Sequence, residues 1–224
     1  MVVVLAILTV AVLIAANYFL VQRRRGVVAG VEHGLPGLTP LSEAVKRVPR
    51  GVFLQPTFTW SRILEGGELL VGVHPLLLGL VGAPYHIELH EGGPQVKKGE
   101  PLLRVGRNGH FLTVRSPVTG RILEVNPTPS GETEWSGLHE QHGSWLYRIE
   151  PEQVEFEVPT WSIADSAVDW TRSQYHQLRE HLLRLPGGAG VGVALADGGE
   201  IPSGILATLD GAAWQDLQRT FLDS

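Results

Sequence analysis

Cysteine is absent from the 224 residues, which excludes disulfides, iron–sulfur clusters and thiol catalysis. Lysine is scarce as well. Only Lys46, Lys97 and Lys98 occur, so chemistry that requires a side-chain primary amine has three places to happen. No sharp strand-to-helix turn presents a nucleophilic serine, and no glycine loop suits a phosphate. Gly187-Gly188-Ala189-Gly190-Val191-Gly192 is glycine-rich, but it precedes a run read as a strand, whereas a dinucleotide loop follows a strand and opens a helix; it reads as a linker. Excess positive charge is missing too: the net charge is −5, which argues against nucleic acid as a partner.

What is present begins with a long apolar run. Residues 2–21 contain no charged side chain and only Thr9, Asn17 and Tyr18 with side-chain polar atoms. Twenty helical residues rise about 30 Å, the thickness of a bilayer's hydrocarbon core, and in lipid only a helix satisfies a single segment's backbone. A cleaved signal would carry basic residues before a shorter apolar core. Here Arg23, Arg24 and Arg25 follow the run, which places the C-terminal side in the cytoplasm, with Tyr18 at the same interface. The expectation is a transmembrane helix over 1–22, a single-pass protein of the cytoplasmic (inner) membrane, and a soluble domain on the cytoplasmic side.

Charge divides the rest. Residues 22–50 carry six basic and two acidic side chains, a net +4, so residues 51–224 carry −9. Segment 23–50 therefore reads as a basic juxtamembrane linker suited to lipid headgroups or an acidic surface, with one or two helical turns over 39–46 capped by Thr39 or Ser42. From 51 to 151 short apolar runs alternate with glycine-bearing turns. Candidate strands are 57–63, 68–73, 85–89, 101–105, 112–115, 120–125 and 145–149, a mainly antiparallel β sandwich or flattened barrel. The run His74-Pro75-Leu76-Leu77-Leu78-Gly79-Leu80-Val81-Gly82 breaks the rhythm as a short helix with proline in its first turn and a glycine stop.

Beyond 151 lies a small α/β extension, 152–224. Residues 163–185 read as an amphipathic helix with Ile163, Ala167, Trp170, Tyr175, Leu178 and Leu182 on its apolar face. Residues 190–196 read as a strand. Asp210 is the expected cap of a last helix carrying Ala213, Trp214, Leu217 and Phe221 on one side. This extension is too small to fold well alone, so it should pack on the β domain or on a partner.

Several motifs in order resemble the H protein of the glycine cleavage system, a relative of the lipoyl domains. They are Thr57-Phe58-Thr59-Trp60, Val71-Gly72-Val73-His74 with Leu80-Val81-Gly82, Val96-Lys97-Lys98-Gly99-Glu100-Pro101-Leu102, Ser116-Pro117-Val118-Thr119-Gly120-Arg121-Ile122-Leu123-Glu124-Val125-Asn126, and Gly143-Ser144-Trp145-Leu146-Tyr147-Arg148-Ile149. The resemblance implies a barrel-sandwich hybrid in which a lysine on the hairpin before the Ser-Pro-Val segment carries lipoate. Counted back from Pro117, that position falls near Gly109, where the chain reads Arg107-Asn108-Gly109-His110 without a lysine. Asn-Gly signals a tight hairpin turn with positive φ, and a guanidinium is a poor acyl acceptor. Asp197-Gly198-Gly199-Glu200 and Trp214-Gln215-Asp216-Leu217 resemble the tail of lipoate-free H-like proteins. Gly99 and Gly120 are expected at turns, and Pro117 at a sheet edge.

Other constellations favour plainer readings. His86, Glu88 and His90 share a face if that segment is a strand, a geometry open to zinc, but a solvated polar face opposite Tyr85, Ile87 and Leu89 is simpler. His139 and His142 sit in a loop, and His176 and His181, five apart, do not share a helix face. Trp135, Trp161, Trp170 and Trp214 read as packing or interface anchors rather than ligand-stacking groups, and are candidate partner contacts because indoles are enriched where partners dock. The expectation is a non-catalytic accessory or assembly subunit that binds subunits of an integral membrane complex, with respiratory or photosynthetic electron transport as a host. No catalytic residue, metal, cofactor or small-molecule substrate is expected. The rivals are a tethered lipoyl carrier using Lys97 or Lys98, and an efflux-type membrane-fusion adaptor, which would need the domain across the membrane and a long helical hairpin.

Overall fold

The computed structural model describes residues 41–42, 48–83, 85–89, 94–126, 144–185 and 199–223. The expected span over 2–21, Tyr18, Arg23–Arg25, most of the linker, Trp135, His90, the 139–142 loop and the 190–196 run lie outside them. Among the described residues no helix is long and apolar enough to cross a membrane.

Among the described residues ten strands form two antiparallel sheets. They are β1 (Phe53–Gln55), β2 (Thr59–Ile63), β3 (Leu69–Val73), β4 (His86–Leu89), β5 (Gln95–Val96), β6 (Pro101–Arg107), β7 (His110–Arg115), β8 (Gly120–Val125), β9 (Tyr147–Pro151) and β10 (Ser162–Ile163). The larger sheet runs β10-β1-β2-β3-β9-β8-β5 and the smaller β4-β6-β7. The fold is mainly β, as expected, with a small helical C-terminal part. Beyond the seven expected strands stand β1, β5 and β10, each of two or three residues and too short to show a periodicity.

Strand β3 explains the layering. Every residue of Leu69-Leu70-Val71-Gly72-Val73 is buried, because the larger sheet is covered on both faces. Leu69, Val71 and Val73 face the main core between the sheets, with Leu103, Val105, Leu112, Val114 and Ile149. On the other face Leu54, Trp60, Leu70, Trp145 and Ala167 form a second cluster. Trp60 lies against Gly72, where a Cβ would come within 2.5 Å of the indole, so only glycine admits the ring.

Helix α1 (Pro75–Val81) is the short helix expected between strands. His74 caps it through Nδ1, which accepts from the Leu76 N–H at 3.0 Å, and Pro75 fills the first turn. A single turn α2 (Val154–Glu157) leads through Val158–Thr160 to β10. Helix α3 (Asp165–Arg184) buries Ala167, Thr171, Tyr175, Leu178 and Leu182. Its start corrects the expected boundary at Ile163: Ala164 stands at φ 52° and ends the helix backwards, leaving Ile163 in β10 and 40% exposed. A 3-10 turn at Ile205–Thr208 precedes α4 (Gly211–Leu217), whose cap Asp210 accepts from the Ala213 N–H. The last turn, Gln218–Leu222, widens to i→i+5 bonding. Ala213, Trp214, Leu217 and Phe221 are all buried, as the spacing predicts.

The extension packs on the β domain. The Gly204 N–H donates to the Gly79 carbonyl at 2.8 Å, and a Cβ on Gly82 would sit 2.3 Å from Gly204 Cα. Leu41 occupies the space a side chain at Gly79 would need, and the Ser42 hydroxyl donates to Glu200 at 2.7 Å. The end of the linker and the C-terminal segment thus converge on α1.

Candidate functional site

The hairpin of β6 and β7 holds the position singled out by the sequence. Arg107 pairs with His110 across a two-residue loop, with Asn108 at φ 53° and Gly109 at φ 81°. Two consecutive positive φ values are what a turn of type I′ requires, and Asn-Gly is the pair that best tolerates them. Asn108, Gly109 and His110 are exposed. No amine projects from the tip.

Lys97 and Lys98 lie at the far end of the same arm. The Lys98 N–H donates to Thr119 Oγ1 at 3.0 Å, and the Gly99 N–H to the Ser116 carbonyl at 2.9 Å. With about 3.3 Å per strand residue, β6 puts that turn roughly 20 Å from the tip. The Lys98 ammonium forms an ion pair with Glu157 of α2. Gly99 is the turn glycine expected, at φ 80°, but Gly120 is not a turn residue: it lies within β8, where a Cβ would come 2.3 Å from the Glu150 carbonyl oxygen. Pro117 sits in the bend between β7 and β8 rather than along an edge strand.

The extension clasps the arm. Strand β7 is an outer strand of its sheet, and the Gln218 side chain lies along it as a partner strand would. Its Oε1 accepts from the Thr113 N–H at 2.8 Å, and its Nε2 donates to the Thr113 carbonyl at 3.2 Å. Arg115 donates to Asp223 from Nη2 at 2.6 Å and from Nε at 3.1 Å. The Gln218 hydrogen bond, then Arg115, hold the Asp223 carboxyl below its ordinary value. Nearer the tip, the His110 ring lies 5.8 Å from that of Trp214, whose Nε1 donates to the Leu206 carbonyl.

Of the indoles read as packing or partner anchors, the three described ones pack largely within the chain. Trp161 and Trp214 are buried in the chain's own core, and Trp170 is half-buried with its ring against Phe58 and His74. His74 is fully enclosed, and burial pushes its imidazole down to about 3, so it is neutral. With Nδ1 accepting from Leu76, its proton is on Nε2, facing Thr171 Oγ1 at 3.3 Å. The Thr171 hydroxyl in turn donates to the Ala167 carbonyl. This relay ties α1 to α3 and is structural. Glu88 is engaged by Arg104 at 2.6 Å, and no group of three metal-ligating side chains occurs among the described residues. Gln218, Arg115 and Asp223 escaped sequence reading. Arg115 lies more than a hundred residues before the other two, and no local pattern announces their meeting.

Comparison with known proteins gives a consistent picture. Residues 53–163 match the family described as Glycine cleavage H-protein. The chain is 30% identical over 127 residues to a probable glycine cleavage system H protein of Pyrococcus abyssi, covering 57% of this chain and 94% of that one. It is 28% identical over 107 residues to the glycine cleavage system H protein of Thermus thermophilus, covering 83% of the relative. A crystal structure of a glycine cleavage system H protein from Mycobacterium marinum aligns at 21% identity with a TM-score of 0.41, over 56% of this chain and 99% of that one. The family match ends at Ile163, just before α3.

Proposed function

This chain belongs to the glycine cleavage H-protein family, and from that membership we propose that it is a non-catalytic, non-lipoylated member that serves as a membrane-tethered scaffold. The observation that carries the proposal is the bare Asn108-Gly109 turn at the position where the family's carrier lysine is expected. Acylation needs a nucleophilic amine on an exposed tip. Arg107 cannot provide one, and Lys97 and Lys98 stand at the opposite end of the arm. The charge-free run over 2–21 followed by Arg23, Arg24 and Arg25 supports tethering with the β domain on the cytoplasmic face. The partners of such a scaffold are subunits of an integral membrane complex, and an electron-transport assembly is the host class to look for first.

A second reading has its own support. The relatives are named H proteins, and an active carrier would place lipoate on Lys97 or Lys98. Intact-mass measurement of the chain after co-expression with a lipoate ligase separates the two. The scaffold reading expects the unmodified mass, and a lipoyl adduct on either lysine overturns it. Protease accessibility in inverted vesicles tests the orientation, and purification from native membranes in mild detergent identifies what co-migrates.

A further inference from the structure

The arm that lacks an amine is rich in another cation. Residues 101–116 hold three arginines and no acidic side chain, within a region of net charge −9. Two of the three are engaged. Arg104 pairs with Glu88 and lies over the Phe111 ring, 4.4 Å from its centroid, while Arg115 pairs with Asp223. Arg107, the residue beside the tip, has no ion pair and no hydrogen bond among the described residues.

Arg107 is nonetheless held in place. Its Nη1 lies over the contact between Gly82 and Gly204, where a Cβ on either glycine would approach it to 3.3 or 3.4 Å. Both glycines have positive φ, 73° and 76°, which disfavours other residues at either, and at Gly82 a Cβ would also stand 2.3 Å from Gly204 Cα. Directly across the hairpin stands His110, backed by Trp214 and by Gly211. Residues paired in this way put their side chains on one face, about 5 Å apart. The Asp210 carboxylate caps α4 through the Ala213 N–H at 2.9 Å and forms no ion pair with either among the described residues.

A fixed guanidinium with unused donors beside an imidazole is a receptor for a carboxylate, because the planar fork engages both oxygens and little rotamer freedom is lost on binding. We propose that the hairpin tip, through Arg107 and His110, is the docking point for an acidic segment of a protein partner. An anionic membrane is a poorer fit. Lipid surfaces are held by clusters of four to eight basic residues, whereas here a single arginine is pre-set in a slot. The proposal depends on the scaffold reading only in taking the tip as partner-facing.

The test uses the full-length chain in a zwitterionic detergent at low ionic strength, with tryptophan replaced by 5-fluorotryptophan and hexaglutamate as the probe. The Trp214 fluorine resonance should move on titration. Charge-assisted hydrogen bonds contribute enough that Arg107→Gln should weaken the apparent affinity about tenfold or more. Arg107→Lys, which keeps charge and loses the fork, should fall between. A Trp214 resonance unmoved by hexaglutamate overturns the proposal, as does equal binding by Arg107→Gln. Arg107-dependent binding to phosphatidylserine vesicles without binding of hexaglutamate overturns it too. These outcomes are separate from the mass measurement: failure here leaves the unmodified scaffold standing, and a lipoyl adduct would remove the scaffold without altering this titration.

Discussion

Strands β7 and β10 are both outer strands, and in both a side chain occupies backbone groups that a foreign strand would seek. At β10 the cap is local. The Ile163 N–H donates to Ser166 Oγ at 3.0 Å, and that hydroxyl donates back to the Ile163 carbonyl at 2.7 Å, three residues away. At β7 the cap comes from Gln218, 105 residues beyond Thr113. Exposed edges invite association, and natural sheets cover them. The difference shows that one edge is closed by the turn that ends the family domain, while the other depends on a separate segment. The arm carrying the candidate site is therefore only as ordered as the packing of the extension.

Breaking the distant cap at its root gives the largest effect. Trp214 is 2% exposed and supports both His110 and the last turns. Trp214→Ala should cost about 3–5 kcal/mol in urea unfolding, the range for buried aromatic truncation. Amide exchange at Thr113 should rise in native conditions while that at Ile163 stays as it was. Equal acceleration at both would mean the two edges share one cooperative unit. A matched pair sharpens the contrast. Gln218→Ala leaves two partly buried backbone groups of Thr113 unsatisfied and should cost about 1–2 kcal/mol. Ser166→Ala acts at an exposed edge and should cost about 0.5–1 kcal/mol, with exchange raised at Ile163 alone.

The same division explains what the sequence disclosed. Alternation and glycine turns located β2, β3, β4, β6, β7, β8 and β9, most of which bury one face or both and say so locally, although β8 leaves Leu123 and Val125 exposed. The Asn108-Gly109 turn was legible since positive φ selects those residue types. Trp161 and Trp214 were read as packing or partner anchors, and both pack inside: an indole's chemistry suits a core as well as an interface, and only tertiary packing decides. The slot around Arg107 was invisible because Gly82 and Gly204 meet only after the extension folds back onto α1. Ala164 at φ 52° displaced the start of α3 by two residues from its apolar periodicity, since a left-handed residue interrupts the helix whatever its pattern predicts.

The smallest effect isolates the far end of the clasp. Asp223 accepts from Gln218 Nε2 at 2.9 Å and from Arg115, and both interactions favour its ionised form. Its carboxyl is therefore held below the ordinary 3.8 in the folded chain. A depressed carboxylate contributes stability that is fully present above its unfolded value and is lost as pH falls through its folded value. The clasp should thus be intact at neutral pH and loosen only as acid titrates Asp223 below 3.8. Side chains about one-third exposed at this pair keep the contribution modest, as salt screening should reveal. Asp223→Asn should remove that part of the acid dependence seen at the Thr113 amide, while the Ile163 amide, with no carboxylate in its cap, should titrate identically in both proteins. A Thr113 profile unchanged by the substitution would show that Gln218 holds the edge without Asp223.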